Sequence, residues 1–303
     1  MSMKRENNLW TTPTVASSPF DQKFMDSNLS FSPDGRKIYF HSGRPLSSGW
    51  KAADSNIFYM ESNANGWGEP KPLSPPINTG LELNATESND GTIYFQSYRG
   101  DSSSYQNPDL YYAQLTGSSS WKVVRLPSPV NTEFEEGHPY ITPTGNTLFF
   151  YSTRPGGKGK SDIYACFKSP KGDWSEPVYL GDEINSNYND RHPTLTPDGQ
   201  FLFYLSDRSG KTECYWTDTK FIDKLKTIKI SGNEDNSANS CSGSALSCTR
   251  CLDRTTTRKE CFSPSDPECP KDRADMRKWR KKQYCLIAPF LFLLYLSFGG
   301  NNE

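Results

Sequence analysis

The chain has 303 residues, of which 34% are hydrophobic and 13% aromatic, with 22 Gly and 22 Pro. Many aromatics and turn formers with few aliphatic runs favour short strands over helices. A formal net charge of −1 gives no electrostatic footprint for a nucleic-acid partner, and Met1 to Trp10 lack the apolar core of a secretory signal.

The first predicted element follows a short extension over residues 1–9. Trp10 is followed by Pro13, a spacing that returns at Trp67 with Pro70 and at Trp174 with Pro177. The N-terminus therefore reads as the last strand of a unit whose other strands lie elsewhere. A turn comes next, Ser32-Pro33-Asp34-Gly35, and it recurs as Ser88-Asn89-Asp90-Gly91, Thr142-Pro143-Thr144-Gly145 and Thr196-Pro197-Asp198-Gly199. Pro presets φ, Asp bonds back to the backbone, and Gly permits positive φ. An apolar strand follows each turn: Ile38-Tyr39-Phe40, Ile93-Tyr94-Phe95, Leu148-Phe149-Phe150 and Leu202-Phe203-Tyr204. Arg44, Arg99, Arg154 and Arg208 close these strands. Third strands start at Ile57, Leu110, Ile163 and Cys214, preceded by Asn56, Asp109, Asp162 and Glu213. Fourth strands carry Trp67, Trp121 and Trp174.

A period of about 54 residues that repeats four times predicts stacked supersecondary units. Each unit is a four-stranded antiparallel sheet too small to bury its own faces, and radial stacking hides them. The expected fold is an all-β propeller of four blades over residues 10–230, closed by the N-terminal strand from Trp10 to Val15. The competing reading takes Leu225 to Ile230 as the missing strand of an open fragment of a larger propeller.

At these residues the sequence resembles the TolB-type propeller repeats of bacterial envelope proteins, in which Ser-Pro-Asp-Gly replaces a Trp-Asp signature. The likeness rests on Ile184-Asn185-Ser186, Asp190, Thr196 to Gly199, Phe203-Tyr204 and Arg208. In the preceding copy it rests on Arg154, Asp162-Ile163-Tyr164 and Trp174-Ser175-Glu176-Pro177. It covers about residues 10–220 and implies an interaction module rather than an enzyme. Members of that family commonly have six or more blades and an export signal, two points from which this chain departs.

Columns that repeat in every copy are what packing demands. The Arg column is expected to pair with the acidic column before the third strand, represented by Asp109 and Asp162, and Trp67, Trp121 and Trp174 are expected in the core. A propeller hydrolase, glycosidase- or peptidase-like and using an axial pocket, is the rival. No Ser-x-Asp-x-Gly-x-x-Trp turn and no Gly-x-Ser-x-Gly elbow supports it.

The start of each first strand faces the axis of such a fold, so equivalent residues there form a ring. Four residues before each turn lie Asn28, Asn84, His138 and His192. Two further back lie Asp26, Glu82, Glu136 and Asp190. The carboxylates either cap their own Ile-Asn-Thr turns or converge on an acidic mouth that takes Ca²⁺ or a cationic group, with the histidines making it pH-sensitive. No other cofactor is expected. The expected partner is a protein, peptide or glycan bound on one face.

Beyond the repeats, residues 231–270 form a Ser-, Asn- and Cys-rich linker. Cys248 and Cys251 have zinc-knuckle spacing, with Cys261 and Cys269 as potential partners and no His among them. Residues 271–303 combine a basic segment with an apolar run from Tyr284 to Phe298. At 1.5 Å per residue the run spans about 22 Å, short of the hydrocarbon core of about 30 Å. It is expected to touch membranes as an anchor, with the basic flank keeping the propeller cytosolic. The competing reading is an unrelated extension.

Overall fold

The structure is a computed structural model that describes residues 2–3, 5–6, 9–10, 24, 26–46, 55–64, 66–99, 107–117, 120–222, 225 and 293–294. Three short N-terminal strands, β1 (Ser2–Met3), β2 (Arg5–Glu6) and β3 (Leu9–Trp10), precede the repeats. Blade 1 comprises β4 (Ser27–Phe31), β5 (Lys37–Ser42) and β6 (Asn56–Asn63), with β7 (Gly66–Trp67) and β8 (Lys71–Pro72) both pairing β6. Blade 2 comprises β9 (Glu82–Glu87), β10 (Ile93–Ser97), β11 (Asp109–Thr116) and β12 (Ser120–Arg125). Blade 3 comprises β13 (Glu136–Ile141), β14 (Thr147–Ser152), β15 (Asp162–Phe167) and β16 (Val178–Tyr179). Blade 4 contributes β17 (Asp190–Leu195), β18 (Phe201–Ser206) and β19 (Glu213–Asp218). All pairings within the blades are antiparallel, and the four sheets form a four-bladed propeller.

The predicted turns form by the chemistry that predicts them. Ser32 Oγ donates to Asp34 Oδ1 at 2.6 Å, and the Arg36 amide donates to the same oxygen at 3.0 Å. Gly35 sits at φ +69°, where a side chain is disfavoured. Asp34 is held below the usual carboxylate range by the Ser32 hydroxyl and the Arg36 amide.

The hydrophobic cores lie between blades. One joins Tyr39 and Ile57 to Ile93, Phe95 and Tyr111, between blades 1 and 2. A second joins Tyr94 and Leu110 to Leu148, Phe150 and Tyr164. A third joins Phe149 and Ile163 to Leu202 and Tyr204. Successive strand residues point to opposite faces, so one column serves one interface and its neighbour the next. The remaining face of blade 1 carries its own cluster of Ile38, Phe40, Phe58 and Met60, with Leu29 and Phe31 packed on it. Among the described residues, no blade 4 residue belongs to that cluster.

The loops between blades are stitched by a buried amide. Asn131 Oδ1 accepts from the Leu110 amide at 2.8 Å, and its Nδ2 donates to the carbonyls of Leu110 and Leu126, both at 2.8 Å. Asn78 does the same for Ile57 and Leu73, and Asn185 grips both backbone groups of Ile163.

Several expectations are corrected. Trp174 makes only an isolated bridge to Lys168, and the fourth strand of blade 3 lies at β16 instead. Trp67, Trp121 and Trp174 are half-buried and pack against the edges of the cores. Trp10 lies in β3, which pairs with β2, and blade 4 has three strands among the described residues. Residues 11–23, where the rest of the closing strand was expected, lie outside the described residues, as do 226–230.

The chain divides into a unit of Met1–Lys226 with Cys285–Glu303 and a second of Thr227–Tyr284, none of which is described. The Cys-rich segment and nearly all of residues 271–303 likewise lie outside the described residues. The exception is β20 (Leu293–Leu294), which pairs in parallel with β1. Among the described residues no helix is long and apolar enough to cross a membrane.

Candidate functional site

Each first strand carries a β-bulge just after its acidic residue, where the register against the second strand slips. The bulge places one residue per blade in the left-handed region: Asn28 at φ +53°, Asn84 at +55°, His138 at +49° and His192 at +55°. Asn and His are among the non-glycine side chains that tolerate this conformation. The local backbone thus selects the residue types of the ring, and the bulge aims their side chains at the axis.

There they form a connected chain through all four blades. Asn28 Nδ2 donates to Asn84 Oδ1 at 2.6 Å, and Asn84 Nδ2 donates to Gln96 Oε1 at 3.1 Å. The same Gln96 oxygen accepts the His138 amide at 3.0 Å. The His138 ring stacks on His192 with centroids 3.4 Å apart and meets the edge of Tyr151 at 4.9 Å. Gly137 permits this approach, since a Cβ there would lie 2.4 Å from the Tyr151 ring and 2.6 Å from Gln96 Oε1. Around the chain stand Tyr98, bonded to Gln96, and the half-buried Glu135 and Arg191. Burial raises the Glu135 carboxyl above its ordinary range, although Arg191 pulls the other way.

The four carboxylates are not at the axis. Asp26, Glu82, Glu136 and Asp190 have side chains with 0% exposure, and none lines either axial cavity. Each pairs with the Arg that closes its own blade's second strand: Arg44 with Asp26, Arg99 with Glu82 at 3.1 Å, Arg154 with Glu136 at 3.1 Å, and Arg208 with Asp190 at 2.8 Å. Their remaining oxygens accept turn amides, as Glu136 does from Thr132 at 2.8 Å and Asp190 from Ser186 at 2.6 Å. The arginines also bind turn carbonyls, Arg154 reaching Pro129 and Val130. Their guanidinium planes lie over strand aromatics, such as Arg208 over Tyr215 at 4.6 Å.

This corrects the expected pairing of the Arg column with the acids before the third strand. Asp109 instead forms a two-point pair with Arg125 at 2.6 Å, and Asp162 accepts the amides of Lys158 and Gly159. Glu213 pairs with Lys211. It also leaves the ring without carboxylates for Ca²⁺, a hard cation that demands oxygen ligands. Among the described residues no group of three or more His, Cys, Asp or Glu is arranged to hold a metal.

Burial moves the expected pH response of the ring below neutral. Burial pushes His192 down to about 3 and His138 well below 6.5, each also repelled by Arg191. Near neutral pH both rings are uncharged. His41, the third histidine of the chain, joins them from blade 1 and is pushed down to about 4 by burial.

His41 Nε2 lies 2.5 Å from Ser27 Oγ, the contact a nucleophile and its base would make. Its Nδ1 is buried without a hydrogen-bond partner, so no carboxylate orients the ring. A base with so low a pKa is also poorly matched to neutral pH. Among the described residues the pair has no third group that orients the imidazole.

Among the described residues, two cavities lie along the axis. A pit of about 50 Å³ is bounded by Asn28, Asn84, His138 and His192 with the prolines and threonines beside them. A chamber of about 170 Å³ runs from Asn28 and His192 down to the turn residues Pro33, Pro143 and Pro197, and reaches between blades 4 and 1.

No protein-family model matches the sequence, and no curated protein matches it. Solved structures match by shape alone. One is a TolB-like protein from Agrobacterium tumefaciens, at 19% identity and TM-score 0.44, covering 63% of this chain and 61% of that one. A nidogen/laminin complex matches at 13% identity and TM-score 0.42, covering 70% and 68%. A puromycin hydrolase matches at 14% identity and TM-score 0.39, covering 65% and 30%. The chain thus spans about three-fifths of the length of the TolB-like protein. The fold defines the class, a β-propeller, which serves both binding proteins and hydrolases.

The Asn/His ring was legible in the sequence, whereas Ser27, Gln96, Tyr98, Glu135, Tyr151 and Arg191 were missed. The signal was a column without a shared residue. His41, Gln96, Tyr151 and Leu205 occupy equivalent places in second strands whose neighbouring columns barely vary.

Proposed function

We propose that the chain is a binding module that holds a protein, peptide or glycan at the axial mouth bearing Tyr98, Glu135 and Arg191. One observation carries this reading. Positions that build the blades are alike in all four copies, whereas no two blades bring the same set of three residues to the axis, and two of its three columns differ in every blade. Blade 1 offers Ser27, Asn28 and His41, and blade 2 offers Leu83, Asn84 and Gln96. Blade 3 offers Gly137, His138 and Tyr151, and blade 4 offers Arg191, His192 and Leu205. Packing rewards sameness in a repeat, and a single asymmetric ligand needs difference. An aromatic, an acid and a base around a half-buried polar floor suit a partner with mixed charge and flat faces.

Peptide and glycan arrays probed with the full chain test this. Ligands that lose binding with both Arg191→Ala and Glu135→Gln support the axial mouth. Ligands indifferent to both variants place binding elsewhere. The hydrolase reading is tested on the same protein. Turnover of glycosidase or peptidase substrates that disappears with Ser27→Ala would replace the binding reading with catalysis by the Ser27–His41 pair.

A further inference from the structure

The chamber between blades 4 and 1 has chemistry that the axial mouth does not use. Its walls are Leu29 and Phe31 from blade 1, Tyr140 from blade 3, and Phe203, Leu205 and Cys214 from blade 4. Its one carboxylate, Glu87, is paired with Lys37 at 3.3 Å. The wall therefore presents no uncompensated charge, and burying a charged ligand there would carry an unrelieved desolvation cost. At the far end stands His192, which lines both chamber and pit and makes no hydrogen bond among the described residues. Its neutral imidazole offers one acceptor and one donor nitrogen. Beside it, the buried His138 Nδ1 also has no partner. Buried polar atoms are ordinarily satisfied, so the orphaned His138 Nδ1 in the adjoining pit, beside a His192 that reaches into the chamber, calls for a polar group at this end.

Size sets the rest. An apolar cavity of about 150 Å³ accepts benzene, and this one measures about 170 Å³. We propose that the chamber binds a small neutral aromatic molecule of one ring bearing a hydroxyl. The ring lies against Phe31, Phe203 and Leu205, and the hydroxyl bonds to His192. The ligand enters from the face of the Ser-Pro-Asp-Gly turns, opposite the axial mouth; the chamber shares Asn28, His192 and Leu205 with the axial ring but not Glu135 or Arg191, whose variants test the partner site proposed above.

Fluorine NMR of 4-fluorophenol with the full chain tests the proposal, with 4-fluorotoluene as the probe lacking the hydroxyl. The expected result is a saturable shift competed by phenol, with fluorophenol bound about five-fold more tightly than fluorotoluene, the ratio one hydrogen bond gives. His192→Gly, permitted by the positive φ, is expected to erase that preference while both probes still bind. Leu205→Phe and Thr194→Leu each fill the chamber and are expected to abolish binding of both probes. Two filling variants are used because either alone could disturb the blade, and thermal melting of each shows whether it is folded. No saturable shift at ligand concentrations of about 1 mM, binding that survives in a folded filling variant, or equal affinity of the two probes would each overturn the proposal.

Discussion

The carboxylate of Glu136 and the guanidinium of Arg154 meet at 3.1 Å, with the acid fully buried and the base largely so. The same Glu136 oxygen accepts the Ser152 hydroxyl at 2.7 Å, and Arg154 reaches on to the Val130 carbonyl at 2.6 Å. One ion pair thereby ties the first strand, the second strand and the interblade turn of a single blade. Removing one partner of such a buried pair leaves the other charge uncompensated. Arg154→Met is expected to destabilise the fold by about 3–5 kcal/mol, measured by urea denaturation. The exposed Lys71–Glu61 pair is the control, and Lys71→Ala is expected to leave the midpoint in place. Equal midpoints for Arg154→Met and the parent would show that the pair does not hold the blade.

The axial histidines predict an acid-sensitive fold. Their folded pKa values lie below the ordinary 6.5, about 4 for His41 and about 3 for His192. The unfolded chain therefore takes up protons first as pH falls. The stability contributed by the neutral rings is complete above about pH 6.5 and is lost as pH drops through the window toward 4 and then 3. Each proton taken up contributes a slope of about 1.4 kcal/mol per pH unit. Glu135 and Asp162, held above the usual carboxylate range chiefly by burial, act in the opposite direction. The decisive quantity is thus the difference between parent and variant. His192→Asn, which keeps a side chain suited to positive φ, is expected to flatten the decline between pH 6.5 and 5. Parallel melting curves for parent and variant across that window would contradict a buried neutral His192.

Asn131 satisfies the backbone of two strands with one amide. Asn131→Leu leaves a buried N–H and two carbonyls without their partner, and unsatisfied buried groups cost about 1–3 kcal/mol each. The expected loss is at least about 2 kcal/mol in chemical denaturation. Asn131→Asp keeps the acceptor for the Leu110 amide but sets a carboxylate against two carbonyls, so no rescue is expected. Recovery of full stability with Asp would show that the two donor contacts are dispensable.

Gly137 separates packing at the axis from packing of the blades. A methyl group there would meet Tyr151 and Gln96, both members of the axial chain. Gly137→Ala is expected to displace these side chains and to weaken any ligand of the axial mouth more than it lowers the melting temperature. Tyr151 fluorine labelling reads the displacement directly, and an unshifted signal in the variant would refute the close approach.

The propeller was legible because repetition multiplies weak local signals. One Ser-Pro-Asp-Gly turn means little, whereas four at a period near 54 residues leave few alternatives. The ring of Asn28, Asn84, His138 and His192 followed from the same alignment. The partner of each Arg did not. Asp109 and Asp162 stand closer in sequence to the next strand, but Glu136 and Asp190 are brought to Arg154 and Arg208 by antiparallel pairing of the first two strands. The bulges were hidden for a related reason. A register slip leaves the hydrophobic pattern on both sides intact, and only the recurrence of Asn and His at one place signals positive φ. Gln96, Tyr151 and Arg191 were obscured because attention to shared columns passes over the ones that differ.

Three shared cores serve four blades, and this makes the molecule uneven in a way that its near-fourfold repetition conceals. Among the described residues, blades 2 and 3 are clasped from both sides, whereas blades 1 and 4 each share a core with a single neighbour. In a structure held by nearest-neighbour contacts, loss of order begins where neighbours are fewest. Amide hydrogens of β10 and β14 are expected to be the slowest to exchange, and those of β5 and β18 faster. On the described contacts alone, the two outer blades are expected to loosen before the middle pair.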